Sequence, residues 1–196
     1  MKQSIFIFRH GETDWNREQR FQGHLDIPLN EKGREQARGL TPLLKDHAIE
    51  AILSSDLGRA VETAEIIAKA LDIPVFKDER LREAHLGLAQ GLTIDEIEKK
   101  FGNALFQRWK SPLLSDADIS YPQGESGTQI YQRAQAAILH FLQTHHYKKI
   151  GVASHGGVIR RFMQNLLPPG SPTAPIPNAG VYQILFDPRS KKMTIN

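Results

Sequence analysis

The sequence predicts an α/β protein: a three-layer α/β/α sandwich with a mostly parallel central sheet and a helical insertion over its C-terminal edge. Three observations carry that expectation. Short apolar runs suited to strands recur along the chain, helical stripes of apolar residues lie between them, and 196 residues suffice for one such domain without cross-links. One domain over 1–196 is expected, with 86–125 as the insertion or lid.

Strand-like runs fall at 4–8, 50–55, 74–81, 148–154 and 181–187. The first, Ile5-Phe6-Ile7-Phe8, has no polar alternation, which suits a strand covered on both faces. Residues 31–46 predict a weaker helix, because Gly33, Gly39 and Pro42 interrupt it. Residues 57–71 place Leu57, Ala60, Val61, Ala64, Ile67, Ala68 and Leu71 on one stripe, with Glu65 and Lys69 as an outward i,i+4 pair. Residues 127–143 repeat the pattern with Ile130, Ala134, Ala137, Ile138, Phe141 and Leu142, and Ser126 with Gln129 forms a capping-box signature. The segment after His155 opens another helix. The Pro-rich stretch 168–177 reads as a surface loop, and the tail as an edge hairpin turning at Asp187-Pro188-Arg189-Ser190. Within the insertion, Phe101, Leu105, Phe106 and Trp109 have helical spacing and read as core. Pro112, Leu113, Leu114 and Tyr121 flank an acidic loop and read as a partly apolar lid.

Composition removes several function classes. Cysteine is absent, which excludes disulfides, thiolate metal sites and cysteine nucleophiles. No apolar stretch approaches membrane-spanning length, and the apolar run at the amino terminus is too short for a signal peptide, so a cytoplasmic enzyme without membrane association is expected. The net charge of +3 is mild, and no basic tract interleaved with aromatics suggests nucleic-acid binding. Eight histidines invite a metal reading, but their spacing argues against it. His145 and His146 diverge around a helix end, while His47 and His140 lack a partner at ligand spacing and read as surface. His24, beside Gln22, reads as part of a solvated loop, with contact to a substrate as the alternative. No metal and no cofactor are expected, and a homodimer is allowed.

The candidate site lies where three runs end. The first ends in Arg9-His10-Gly11, the second in Ser54-Ser55-Asp56 with Arg59 in the next helix's first turn, and the fourth in Ser154-His155-Gly156-Gly157 at another helix start. In a parallel sheet these carboxyl ends share one edge, where α/β proteins place ligands. Helix amino termini offer free N–H groups to anions, and guanidinium groups bind phosphate oxygens bidentately. Glycines after both histidines let the backbone turn beside a ligand. Taken singly, Arg59 reads as a solvated helix residue and His155 as a packing residue. Their convergence on one crevice points to a phosphate site.

The stretches "FRHGETDWN", "SSDLGRAVETAEIIA", "LREAHLGLAQG" and "VASHGGVI", with "RFQGHLDIPLNEKGREQA" after the first, resemble the ordered motifs of the histidine phosphatase superfamily, the cofactor-dependent phosphoglycerate mutase-like proteins. The resemblance covers nearly the whole chain. It implies that His10 is phosphorylated, that Arg9, Arg59 and His155 bind the phosphoryl group, and that Glu83 is the proton donor. It further implies that Asn16, Gln22, Gly23 and Gly156 line the phosphate and substrate pocket. Leu88-Ala89-Gln90 departs from the aromatic and acidic residues usual in phosphatase-type relatives.

The residues admit the implied chemistry. A neutral imidazole is a good nucleophile toward phosphorus, and nearby arginines disfavour its protonation while stabilising the transferring phosphoryl group. "LREAHLG" offers two proton donors, Glu83 and His85. An imidazole titrates nearer neutrality, but one beside two arginines tends to lose its proton, whereas a carboxyl facing a phosphate dianion tends to keep one. The expected function is hydrolysis of small phosphomonoesters through a phosphohistidine. A mutase is the alternative, and a non-catalytic phosphate-binding protein the third. A mutase needs extra basic residues around its pocket, and Leu86–Asp118 holds only Lys99, Lys100, Arg108 and Lys110.

Overall fold

A computed structural model describes residues 2–111, 113–168, 171 and 175–195. The described elements are β1 (Gln3–Arg9), α1 (Asp14–Arg17), α2 (Glu31–Asp46), β2 (Ala51–Ser54), α3 (Gly58–Leu71), β3 (Val75–Lys77), α4 (Ile94–Phe101), α5 (Asn103–Trp109), α6 (Gly127–Thr144), β4 (Lys149–Ser154), α7 (Gly156–Leu166), β5 (Val181–Asp187) and β6 (Lys192–Ile195). The strands form one six-stranded sheet in the order β3-β2-β4-β1-β5-β6. The first four are mutually parallel, and β5 and β6 run antiparallel as the edge hairpin.

β1 shows why both faces are covered. Its side chains alternate across the sheet. Ile5 and Ile7 pack with residues of α6 and α7, while Phe6 and Phe8 pack with Leu40 and Leu44 of α2 and Ala64 and Ile67 of α3. Helices therefore flank the sheet on two sides, giving the expected three layers. The capping box at Ser126 and Gln129 is formed, and Asn30 accepts from the Gly33 amide to start α2. Among the described residues, no helix is long and apolar enough to cross a membrane.

The run expected as a strand over 74–81 is shorter. β3 stops at Lys77 because Asp78 accepts from the Arg80 amide and opens a 3-10 turn over Glu79–Leu81. Local side-chain to backbone bonding outcompetes the ladder there. The Pro-rich stretch 168–177 falls partly outside the described residues, as does Pro112 of the expected lid.

The insertion supplies α4, α5 and a 3-10 turn over Leu114–Asp116. It is anchored from below by fully buried Arg161 of α7, which donates to Gln164 Oε1 (2.8 Å) and to the Trp109 carbonyl (2.8 Å). Tyr121 is core rather than lid, and Leu113 and Leu114 face solvent.

Candidate active site

Register places the three strand ends side by side: Arg9 pairs with Ser154, and Ala153 pairs with Ser54. The loop after β1 rests on the first turn of α2. A Cβ on Gly11 would lie 2.2 Å from the Gly33 carbonyl oxygen, and one on Gly33 would lie 2.2 Å from that of Glu12, so both positions require glycine.

His10 is buried and held by both ring nitrogens. Its Nδ1–H donates to the Gly11 carbonyl (2.7 Å), and Arg59 Nε–H donates to Nε2 (3.3 Å). A carbonyl can only accept, so the proton sits on Nδ1 and the lone pair on Nε2. Burial, then Arg59, then Arg9 hold this imidazole well below its ordinary value of 6.5. The ring is neutral near neutral pH, with its Nε2 unprotonated.

Arg59 itself has no exposed surface. It donates to the carbonyls of Leu25 (2.9 Å) and Gly23 (2.8 Å), and burial lowers its pKa to about 10, still charged near neutrality. Gly23 adopts φ +55°, and a Cβ there would strike Gln90 Oε1, which accepts from the His24 amide. Arg9 donates Nη1 to the Ile176 carbonyl (2.8 Å), while its Nε is buried without a partner.

The His155 ring neighbours that of His10, with centroids 5.1 Å apart, and His155 has no exposed surface. Its Nε2 is 2.9 Å from Ser55 Oγ, and its Nδ1 is buried without a partner. A Ser55 hydroxyl that donates to Nε2 leaves Nδ1 protonated, a donor with nothing to donate to. Gln22 Oε1 is likewise orphaned. Buried orphans of this kind cost about 1–3 kcal/mol each, and a ligand can satisfy them.

Glu83 closes the site from the other side. Its Oε2 accepts from the Gly157 amide at the start of α7 (3.0 Å), and its Oε1 from the Ala84 amide (2.8 Å). A Cβ on Gly157 would come within 2.2 Å of Oε1, so the close approach depends on that glycine. The segment bearing Glu83 is clasped by Arg133 of α6. Arg133 donates to the carbonyls of Arg80 (2.7 Å), Arg82 (2.7 Å) and Glu83 (2.9 Å) while paired with Glu125 (2.7 Å). Glu125 Oε2 also accepts from the His85 amide (2.7 Å).

These groups border a cavity of about 480 Å³. Arg9, His10, Asn16, Gln22, Gly23, Arg59, Glu83 and Gly156 all line it. His155, expected to bind the phosphoryl group, does not line the cavity; it is fully buried with its ring centroid 5.1 Å from that of His10. His85 is absent from the wall, with Nδ1 donating to the Gln123 carbonyl (3.1 Å). Of the two proton donors the sequence offers, geometry thus brings Glu83 alone to the cavity.

Several sequence expectations need correction here. Phe106 and Trp109 are core residues that also line the cavity, and with Phe21 and Ile94 they supply its apolar wall. His24 is half-buried, its Nε2–H donating to the Glu83 carbonyl (2.7 Å). His47 stacks on Phe6, and His145 on Phe141, instead of standing free at the surface. Sequence reasoning missed Arg160, although its spacing of three and four from Gly157 and Gly156 puts it on the same helix face. It also missed Arg133 and Asn178. Asn178 donates to the carbonyls of His10 and Gly11 (both 3.2 Å) and to Asn16 Oδ1 (3.0 Å). No local pattern signals either, because their partners lie far along the chain. No group of metal-ligating side chains occurs among the described residues.

Parallel strand ends that gather a neutral histidine, two arginines and a second histidine, with a carboxylate facing the same cavity, define an α/β protein with an anion-suited site. The chain belongs to the histidine phosphatase superfamily (branch 1), whose family model matches residues 5–195. It is 40% identical over 187 residues to phosphoglycerate mutase-like protein 4 of Arabidopsis thaliana, covering 93% of this chain and 80% of that one. It is 37% identical over 153 residues to a probable phosphoglycerate mutase GpmB of Escherichia fergusonii, covering 78% and 69%. Among solved structures, Bacillus stearothermophilus YhfR superposes with a TM-score of 0.82 at 35% identity, covering 98% of this chain and 94% of that one. A mycobacterial glucosyl-3-phosphoglycerate phosphatase solved with VO3 superposes with a TM-score of 0.85 at 29% identity, covering 99% and 96%.

Proposed function

We propose that the protein hydrolyses small cytoplasmic phosphomonoesters through a phosphohistidine on His10. The observation that carries this reading is the His10 ring, neutral and with its Nε2 lone pair facing Arg59. Nε2 attacks phosphorus, the bond from phosphorus to the ester oxygen breaks, and Glu83 gives its proton to the departing alkoxide. Water then attacks the phosphohistidine, the N–P bond breaks, and Glu83 takes the water's proton. Arg9 and Arg59 neutralise the equatorial oxygens, and the Nδ1–H of His155 supplies a further donor. These groups provide the positive charge such a transfer needs, so the reading assigns no metal.

Hydrolysis is preferred over mutation because the insertion contributes little charge to the cavity. Of its four basic residues only Lys110 lines the wall, while Arg108 is paired with Asp116 and Lys100 lies over Phe101. Release of phosphate from p-nitrophenyl phosphate, undiminished by EDTA, is the expected result. Incubation with 3-phosphoglycerate and a bisphosphoglycerate primer should yield little 2-phosphoglycerate. Interconversion that outpaces phosphate release would reverse the ranking, and metal-reversible inhibition by EDTA would overturn the metal-free account.

A further inference from the structure

Residues 176–180, which lead into β5, brace the end of β1. The Ile176 carbonyl accepts from Arg9 Nη1 (2.8 Å), the Gly180 carbonyl accepts from the Arg9 amide (3.0 Å), and the Ala179 amide donates to the His10 carbonyl (3.3 Å). Asn178 adds a side chain to this backbone contact. Its Nδ2 faces three oxygens, the carbonyls of His10 and Gly11 (both 3.2 Å) and Asn16 Oδ1 (3.0 Å). Asn16 Oδ1 also accepts from the Thr13 amide (3.1 Å). All three partners accept, so the amide nitrogen of Asn178, and not its oxygen, points at them.

The Gly11 carbonyl is the group that receives His10 Nδ1–H (2.7 Å). The peptide unit joining Gly11 to Glu12 is held at two points. Its N–H donates to Gln36 Oε1 (2.8 Å), and its oxygen accepts from Asn178. With the oxygen released, the plane can swing about the remaining anchor, and the carbonyl no longer selects the proton position on the ring. An Nε2–H ring has no lone pair at Nε2 and meets Arg59 Nε donor to donor.

We propose that Asn178 is a positioning residue that sets the His10 tautomer through the Gly11 carbonyl. It does not line the cavity and acts only through its partners. The catalytic meaning rests on the phosphohistidine reading, but the tautomer is read without turnover.

The test is ring-nitrogen NMR on the full chain with labelled histidine, near neutral pH, with His10 identified by its loss in His10→Ala. Wild type should show a protonated Nδ1 and a bare Nε2. In Asn178→Ala the share of the Nε2–H form should rise about 3- to 10-fold, the usual worth of one neutral hydrogen bond. The loss in kcat/KM should be of similar size and equal for glycerol phosphate and p-nitrophenyl phosphate, because it falls on the nucleophile. Asn178 is half-buried in a turn, outside every helix and strand, so the fold should hold. Asn178→Ser, which returns a donor on a shorter side chain, should recover part of both readouts. An Nε2–H ring in the wild type, or a tautomer ratio unchanged in Asn178→Ala, would overturn the proposal, and so would an activity loss that follows the leaving group. A tautomer shift in a protein that releases no phosphate from either ester refutes the hydrolase and not the positioning role.

Discussion

Replacing Gly157 by alanine tests the acid–base role of Glu83 without altering the carboxylate. The added Cβ would lie 2.2 Å from Glu83 Oε1, well inside contact distance. Oε1 ends a flexible side chain, so the carboxylate moves and the helix stays. It must retreat by about 1 Å, and a misplacement of that size can cost about 100-fold in rate. The retreat also weakens the bond from the Gly157 amide to Oε2, now 3.0 Å. Alanine favours a helix over glycine by up to about 1 kcal/mol, so the fold should hold and the melting temperature should not drop. Steady-state kcat/KM is measured with glycerol phosphate and with p-nitrophenyl phosphate. The alkyl ester, whose leaving group needs a proton, should lose about 100-fold, in the range a positioned acid supplies. The nitrophenyl ester should lose less than about 10-fold, because its leaving group departs unaided. Equal losses on both esters, or full activity on the alkyl ester, would refute the placement of Glu83 as proton donor.

Three further outcomes are expected. His10→Ala should abolish both turnover and acid-labile labelling by a phosphorylated substrate; near-wild-type turnover would remove His10 from the nucleophile role. His10 and His155 are both held neutral well below 6.5, chiefly by burial, so the unfolded chain binds more protons than the folded one as pH falls below 6.5. Stability of the ligand-free protein should therefore decline through that window by about 1.4 kcal/mol per pH unit for each histidine, read from urea midpoints, and a flat profile from pH 7 to pH 5 would contradict the buried neutral pair. Arg133→Gln should release the backbone that carries Glu83 and lower kcat more for glycerol phosphate than for p-nitrophenyl phosphate, with partial rescue in Arg133→Lys. A loss independent of the leaving group would mean that Arg133 acts only on stability.

The sequence by itself determined the layered fold and most of the site. Ile5-Phe6-Ile7-Phe8 is apolar on both sides of a period-two chain, which forces cover on two faces, and the stripes at 57–71 and 127–143 supply it. His10, Arg59 and Gly156 were legible because each follows directly on a strand or opens the next helix, so local pattern and parallel topology suffice to place them. Tertiary structure decided what depends on distant partners. The strand expected to reach 81 stops at Lys77 because Asp78 turns the chain. That Glu83, already favoured by the resemblance, lines the cavity while His85 does not depends on the Gly157 amide, 74 residues away, and on Arg133, which gathers three carbonyls from another helix. Phe106 and Trp109 are core and cavity wall at once because the insertion folds over the sheet edge. Helical spacing can mark a buried face, but only packing shows what that face looks onto.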